Sequence, residues 1–135
     1  MKLMIVVLCM AAAVFAFTPL PQDEQAFEAA MKIILPTSGS LRKSVEAKDA
    51  DAAKAAAAKL EAIFQTSEDF WTKRKTEDAI AWSKQGKEGA AEVAKLAAAG
   101  EWEKIPDAQK KIQSTCTACH TAHREKLPEG GYKIK

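Results

Sequence analysis

An all-α fold is predicted for this chain: four helices packed as an antiparallel bundle. Three observations lead there. Apolar residues recur three and four positions apart over four separate stretches, the spacing that lines one face of a helix. The links between these stretches are short and carry helix-start and helix-stop residues, so consecutive helices run antiparallel. No stretch alternates apolar and polar residues in the way a half-buried strand does. At 135 residues the chain is long enough for one core and too short for two comfortable ones.

The first residues stand apart from this pattern. Lys2 supplies the charge of a signal-peptide n-region, residues 3–13 are apolar, and Val14-Phe15-Ala16 carries small or tolerated residues where a signal peptidase reads. The expectation is a signal peptide over residues 1–16, cleaved after Ala16 or a few residues later, and a mature domain over residues 17–135. The apolar run is short for a membrane span, and an uncleaved anchor is the alternative. Cys9 falls within this segment, so cleavage leaves two cysteines, Cys116 and Cys119, in the mature chain.

Thr18-Pro19-Leu20-Pro21 reads as an extended lead-in, because each proline disfavours helix at the residue before it. Asp23 and Glu24 then suit a first helical turn. Phe27, Ala30, Met31, Ile34 and Leu35 form one apolar face of the first helix. Pro36 predicts a kink or short break before the helix resumes through Leu41, Val45 and Ala47, since a proline inside a helix costs about 3 kcal/mol. Residues 49–66 are the least ambiguous helix: rich in alanine, opened by Asp49 and Asp51, with Ala53, Ala56, Leu60, Ile63 and Phe64 on the buried side. Residues 67–76 are polar apart from Phe70-Trp71 and read as a loop or an early helical turn.

Thr76-Glu77-Asp78 looks like the start of a third helix, running through Ile80, Trp82, Val93 and Leu96 and stopping at Gly100. Gly86 and Gly89 inside it predict close packing or a bend. Glu101-Trp102-Glu103 begins the last element, with Pro106 in the first turn. Ile105, Ala108, Ile112, Thr115, Cys116, Cys119, His120, His123 and Leu127 keep one face, and Pro128-Glu129-Gly130-Gly131 ends it ahead of a short basic tail.

That last helix carries the most specific signal in the chain, Cys116-Thr117-Ala118-Cys119-His120. Two cysteines three apart, followed at once by histidine, is the spacing that attaches haem c. The thiols would add across the two porphyrin vinyl groups, and on a helix they are neighbours on one face. His120, four residues after Cys116, can then swing beneath the ring and give an imidazole nitrogen to iron, as the proximal ligand. Three other readings are weighed beside this one. A redox dithiol wants a strand-to-helix context that the surrounding sequence lacks. A zinc site wants about four ligands, and the one further histidine, His123, sits on the same short segment. A structural disulfide leaves His120 unexplained.

The formal charge is +2 over the whole chain. Loss of Lys2 with the signal and addition of two haem propionates bring it near neutrality. A nucleic-acid binder would show a concentrated basic face instead.

The arrangement resembles the class II cytochromes c, the cytochrome c′ family and its low-spin methionine-ligated relatives. The residues that carry the resemblance are the haem motif at the C-terminus with Arg124 following, Ala97-Ala98-Ala99-Gly100-Glu101-Trp102, Ile80-Ala81-Trp82, and Met31-Lys32. The chain departs from the family pattern at His123, where an aromatic residue is common, at Pro36, and at Phe27 in place of an arginine. The resemblance implies a four-helix bundle with covalently attached haem c on the C-terminal helix. It also implies that Met31 faces the distal side of iron, where a thioether ligand stabilises the ferrous state. A methionine that merely fills the core is the alternative. Arg124 is a candidate contact for a propionate or the haem edge, tuning the potential, with a solvated arginine as the alternative.

The function expected from these readings is that of an exported, periplasmic, mono-haem cytochrome. It would carry one electron between redox partner proteins that the sequence does not identify, with His120 and Met31 on iron and no catalysis. The rival expectation is a cytochrome c′-like protein binding nitric oxide or carbon monoxide at an open distal face. No nucleic-acid partner and no membrane span in the mature form are expected, and the resemblance allows a homodimer through the first two helices.

Overall fold

The computed structural model describes residues 21–135, so the expected signal peptide, its cleavage point and Cys9 lie outside the described residues. Four helices account for most of what is described: α1 (Gln22–Glu46), α2 (Ala50–Arg74), α3 (Glu77–Ala98) and α4 (Ile105–His123), with a single 3-10 turn at Trp102–Lys104 leading into the last. A short antiparallel hairpin, β1 (Arg124–Lys126) with β2 (Tyr132–Ile134), follows α4. The all-α bundle is therefore as expected, with this hairpin added. Among the described residues no helix is long and apolar enough to cross a membrane.

Local chemistry explains where the helices begin and end. The Asp49 carboxylate accepts from the backbone N–H of Ala52 at 3.0 Å and so caps α2. Lys75, in the left-handed region with φ 56°, stops it. Gly100, with φ 71°, takes the corresponding role after α3, where a glycine meets no Cβ penalty. Pro106 stands in the first turn of α4, where its missing N–H costs nothing.

Three expectations need correction. The helix is not broken at Pro36: α1 continues through it to Glu46. The hydroxyls of Thr37 and Ser38 donate to the carbonyls of Ile33 and Ile34 at 2.7 and 2.8 Å, supplying bonds in the turn that the proline ring disturbs. Leu35 does not share the buried face; it is 78% exposed, and Ile33 is 52% exposed beside it. Residues 67–74 are helix, not loop, because Phe70 and Trp71 are buried and dock the last two turns of α2.

The end of α4 is corrected as well. The helix stops at His123, so Leu127 is not on its face, and Gly130 and Gly131, both at positive φ, turn the chain back to pair Arg124 with Ile134.

The core divides in two. The larger cluster runs along the bundle and includes Leu41, Leu60, Ile63, Phe64, Val93, Ile105 and Ile112. The smaller one gathers where α1 and α3 begin and α2 ends: Phe27, Phe70, Trp71 and Ala79. The two glycines of α3 prove to be close-packing sites. A Cβ on Gly86 would collide with the Phe64 ring, and one on Gly89 would lie 2.9 Å from Ile112 Cγ1. Consecutive helices pack closely, whereas the backbones of α1 and α4 scarcely approach one another.

Candidate functional site

α4 presents Cys116, Cys119 and His120 on successive turns, all half-buried. Both cysteines are free thiols, with no disulfide between them. Burial raises the Cys116 thiol above its ordinary value, and burial, with the charges of Asp78 and Cys116, pushes Cys119 up to about 11. Both are thus neutral thiols at ordinary pH. Burial also lowers His120, with the nearby Arg124 charge adding to the effect. An imidazole kept neutral retains the lone pair that a metal needs.

Met31 comes from α1 and packs against both core clusters. Cys116 packs against the larger of these and Cys119 against the smaller. The Met31 thioether and the Cys119 thiol thus reach one small apolar cluster from α1 and α4, two helices whose backbones scarcely approach. Among the described residues no group of three His, Cys, Asp or Glu side chains is gathered closely enough to hold a metal ion.

His123 turns away to other partners. Its Nε2 lies 3.0 Å from both carboxylate oxygens of Asp78 at the start of α3, and its ring is flanked by Trp71 and Trp82 at 5.0 and 6.0 Å between centroids. Arg124, the first residue of β1, is exposed and stacks its guanidinium 3.8 Å from the centre of the Tyr132 ring. Sequence reasoning missed both the Asp78 partner and the hairpin: Asp78 read as an ordinary first-turn acid, and β1 contains no strand-forming residue type.

One buried polar atom in this region has no protein partner: the indole Nε1 of Trp71. The residue is 3% exposed and belongs to the small cluster against which Met31, Cys119 and Ile134 pack. An unpaired buried N–H is costly by about 1–3 kcal/mol, so the site holds a donor whose acceptor the polypeptide does not provide.

These residues fit a haem c. The donor set supplies two un-ionised thiols for the vinyl groups, a neutral imidazole next to the second, a soft thioether on the facing helix and an unused buried N–H among apolar walls.

No family model and no curated protein matches the sequence. Among solved structures, the fold is similar to that of a cytochrome c′ described as showing an unusual ligand-controlled dimer dissociation. The likeness covers 87% of this chain and 100% of that one, with 19% identity and a TM-score of 0.62. At that identity the comparison shows the fold: a four-helix bundle of the cytochrome c′ kind.

Proposed function

We propose that the protein is an exported, periplasmic haem c cytochrome that carries one electron between partner proteins and catalyses no reaction. The observation that carries this reading is that Met31 from α1 and Cys119 from α4 pack against the same small apolar cluster. Cys116 and Cys119 would hold the haem through thioether bonds, His120 would bind iron from the proximal side, and Met31 would bind it from the distal side. Bound in that way, haem iron supplies a one-electron couple whose potential the thioether raises. The chain's own contribution is to fix both ligands on long packed helices and to surround them with Phe27, Phe70, Trp71 and Ala79, which exclude water. Arg124 would set a positive charge near His120 and favour the ferrous state.

The deciding experiment is the optical spectrum of the purified holoprotein in both oxidation states. Sharp, split bands after reduction and a weak thioether band toward the far red in the oxidised form support His120 and Met31 on iron. A broad high-spin Soret band overturns that ligation.

A second reading is favoured by the structural neighbour, a cytochrome c′ whose dimer responds to a ligand. In it Met31 only fills the core, the distal side is open, and the protein binds nitric oxide or carbon monoxide. Rapid carbon monoxide binding by the reduced wild-type protein, unchanged in Met31→Ala, selects this reading. In either case a homodimer through α1 and α2 is supported by Ile33, apolar and half exposed on the side of α1 next to α2.

A further inference from the structure

Trp71 carries a buried polar atom that the reading above does not use. Its indole is 3% exposed, its ring is held at 4.9 Å from Phe70 and 5.7 Å from Phe27, and its Nε1 has no acceptor. Such a donor is retained in a core when something outside the polypeptide completes it. The other polar groups at this end of the bundle are already matched. Arg74 donates to Asp23 at 2.8 Å and stacks on Phe70, and His123 is held by Asp78.

The chemistry of the missing acceptor follows from what a haem offers. Its four pyrrole nitrogens face iron, so none of them is free to accept. The remaining acceptors are the two propionate carboxylates. A thioether such as Met31 accepts only weakly, whereas a carboxylate accepts a charge-assisted bond, the kind that offsets the burial of an N–H. Trp71 also lies in the cluster on which Met31 packs, so a haem held between α1 and α4 enters its surroundings.

We infer that Trp71 Nε1–H donates a hydrogen bond to a haem propionate and so fixes the ring's orientation in the bundle. Trp71 is a positioning residue in this role, since the indole touches the periphery of the cofactor and never iron. The inference rests on the haem reading of the preceding subsection. It does not require Met31 to be a ligand, because the propionates are present in either ligation state.

The test uses the reduced holoprotein, wild type and Trp71→Phe, which keeps the aromatic packing and deletes the N–H. In nitrogen-15 spectra of the wild type, one indole N–H resonance is expected far downfield, with solvent exchange slowed at least about tenfold relative to the Trp102 indole. That resonance vanishes in Trp71→Phe. In resonance Raman spectra the propionate bending bands shift in the variant while the axial-ligand bands stay in place.

Propionate bands that are the same in both proteins, or a Trp71 resonance at an ordinary position with ordinary exchange, overturn the inference. So does a shift confined to the axial-ligand bands, because it places the donor at the iron. The wild-type measurements decide the matter even where Trp71→Phe folds poorly. A colourless purified protein would remove the haem reading itself. A coloured protein with an open distal site would remove the Met31 ligation alone and leave the propionate bond standing.

Discussion

The ring of Phe64 on α2 occupies the space where a side chain on Gly86 of α3 would begin. No residue with a Cβ fits there unless the ring moves, and Phe64 is 5% exposed within the main core. The glycine therefore sets how closely the two central helices approach. A few residues away the contact is reinforced by the Ser67 and Ser83 hydroxyls, buried and 2.8 Å apart.

Gly86→Ala is expected to destabilise the fold by about 1–3 kcal/mol, the usual cost of overpacking a filled core. Gly39→Ala should do the reverse. Nothing lies within 4 Å of a Cβ built there, and alanine in a helix interior is favoured by about 0.5–1 kcal/mol. Denaturant melts of the two holoproteins against wild type check both signs, and equal shifts in one direction would refute the packing argument.

If Met31 binds iron as proposed, Met31→Ala should open the distal side. The far-red thioether band is expected to disappear from the oxidised spectrum, and the reduced variant should take up carbon monoxide that the wild type excludes. The potential should fall, because a soft ligand that stabilises ferrous iron has been removed. Potentiometry and gas titration on the same preparations give the answer.

The Cys119 thiol, pushed up to about 11 by burial and the neighbouring charges of Asp78 and Cys116, gives a pH prediction for the chain before haem is attached. In the window from 9.0, the ordinary thiol value, up to about 11, the folded chain keeps a proton that the unfolded chain has lost. Stability contributed by the neutral thiol is present below 9.0 and is lost as pH rises through that window. Alkylation of Cys119 in the folded, haem-free chain should correspondingly stay slow at neutral pH and accelerate only above pH 9. Fast labelling at pH 7 would contradict the burial.

On the proposed pairing through α1 and α2, Ile33, half exposed on α1, lies at the interface. Ile33→Lys should then sediment as a smaller species than the wild type at the same concentration, with the haem spectrum unchanged. Identical sedimentation of the two proteins would remove α1 from the interface.

Much of the bundle was legible in the sequence because helical periodicity and start or stop residues act locally. Asp49, Gly100 and Pro106 each stand where their side chains or backbone predict. What escaped depends on contacts distant in sequence. Residues 67–74 look polar along the chain, yet Phe70 and Trp71 find Phe27 and Ala79 across the bundle and hold that stretch helical. The hairpin after His123 has strands of poor propensity, and it forms because Ile134 docks on the small cluster and the Lys135 N–H reaches the His123 carbonyl at 2.9 Å. α1 runs on through Pro36 because Leu41 and Val45 beyond it pack into the main core, tertiary contacts that reading the proline alone leaves out.

Within the candidate site the motif residues Cys116, Cys119 and His120 were legible from spacing alone, whereas Met31 needed the resemblance. Trp71 was passed over, since an aromatic residue in a polar stretch gives no hint that its N–H will be stranded. That shortfall exists only once the tertiary fold has closed around it.

The hairpin has a bearing on how firmly this end of the bundle is shut. Its return strand brings Ile134 against the same small cluster on which Cys119 packs, so the turn at Gly130 and Gly131 works as a clasp over that interior. Removing residues 132–135 should leave the Cys119 thiol wetter and quicker to react with an alkylating reagent.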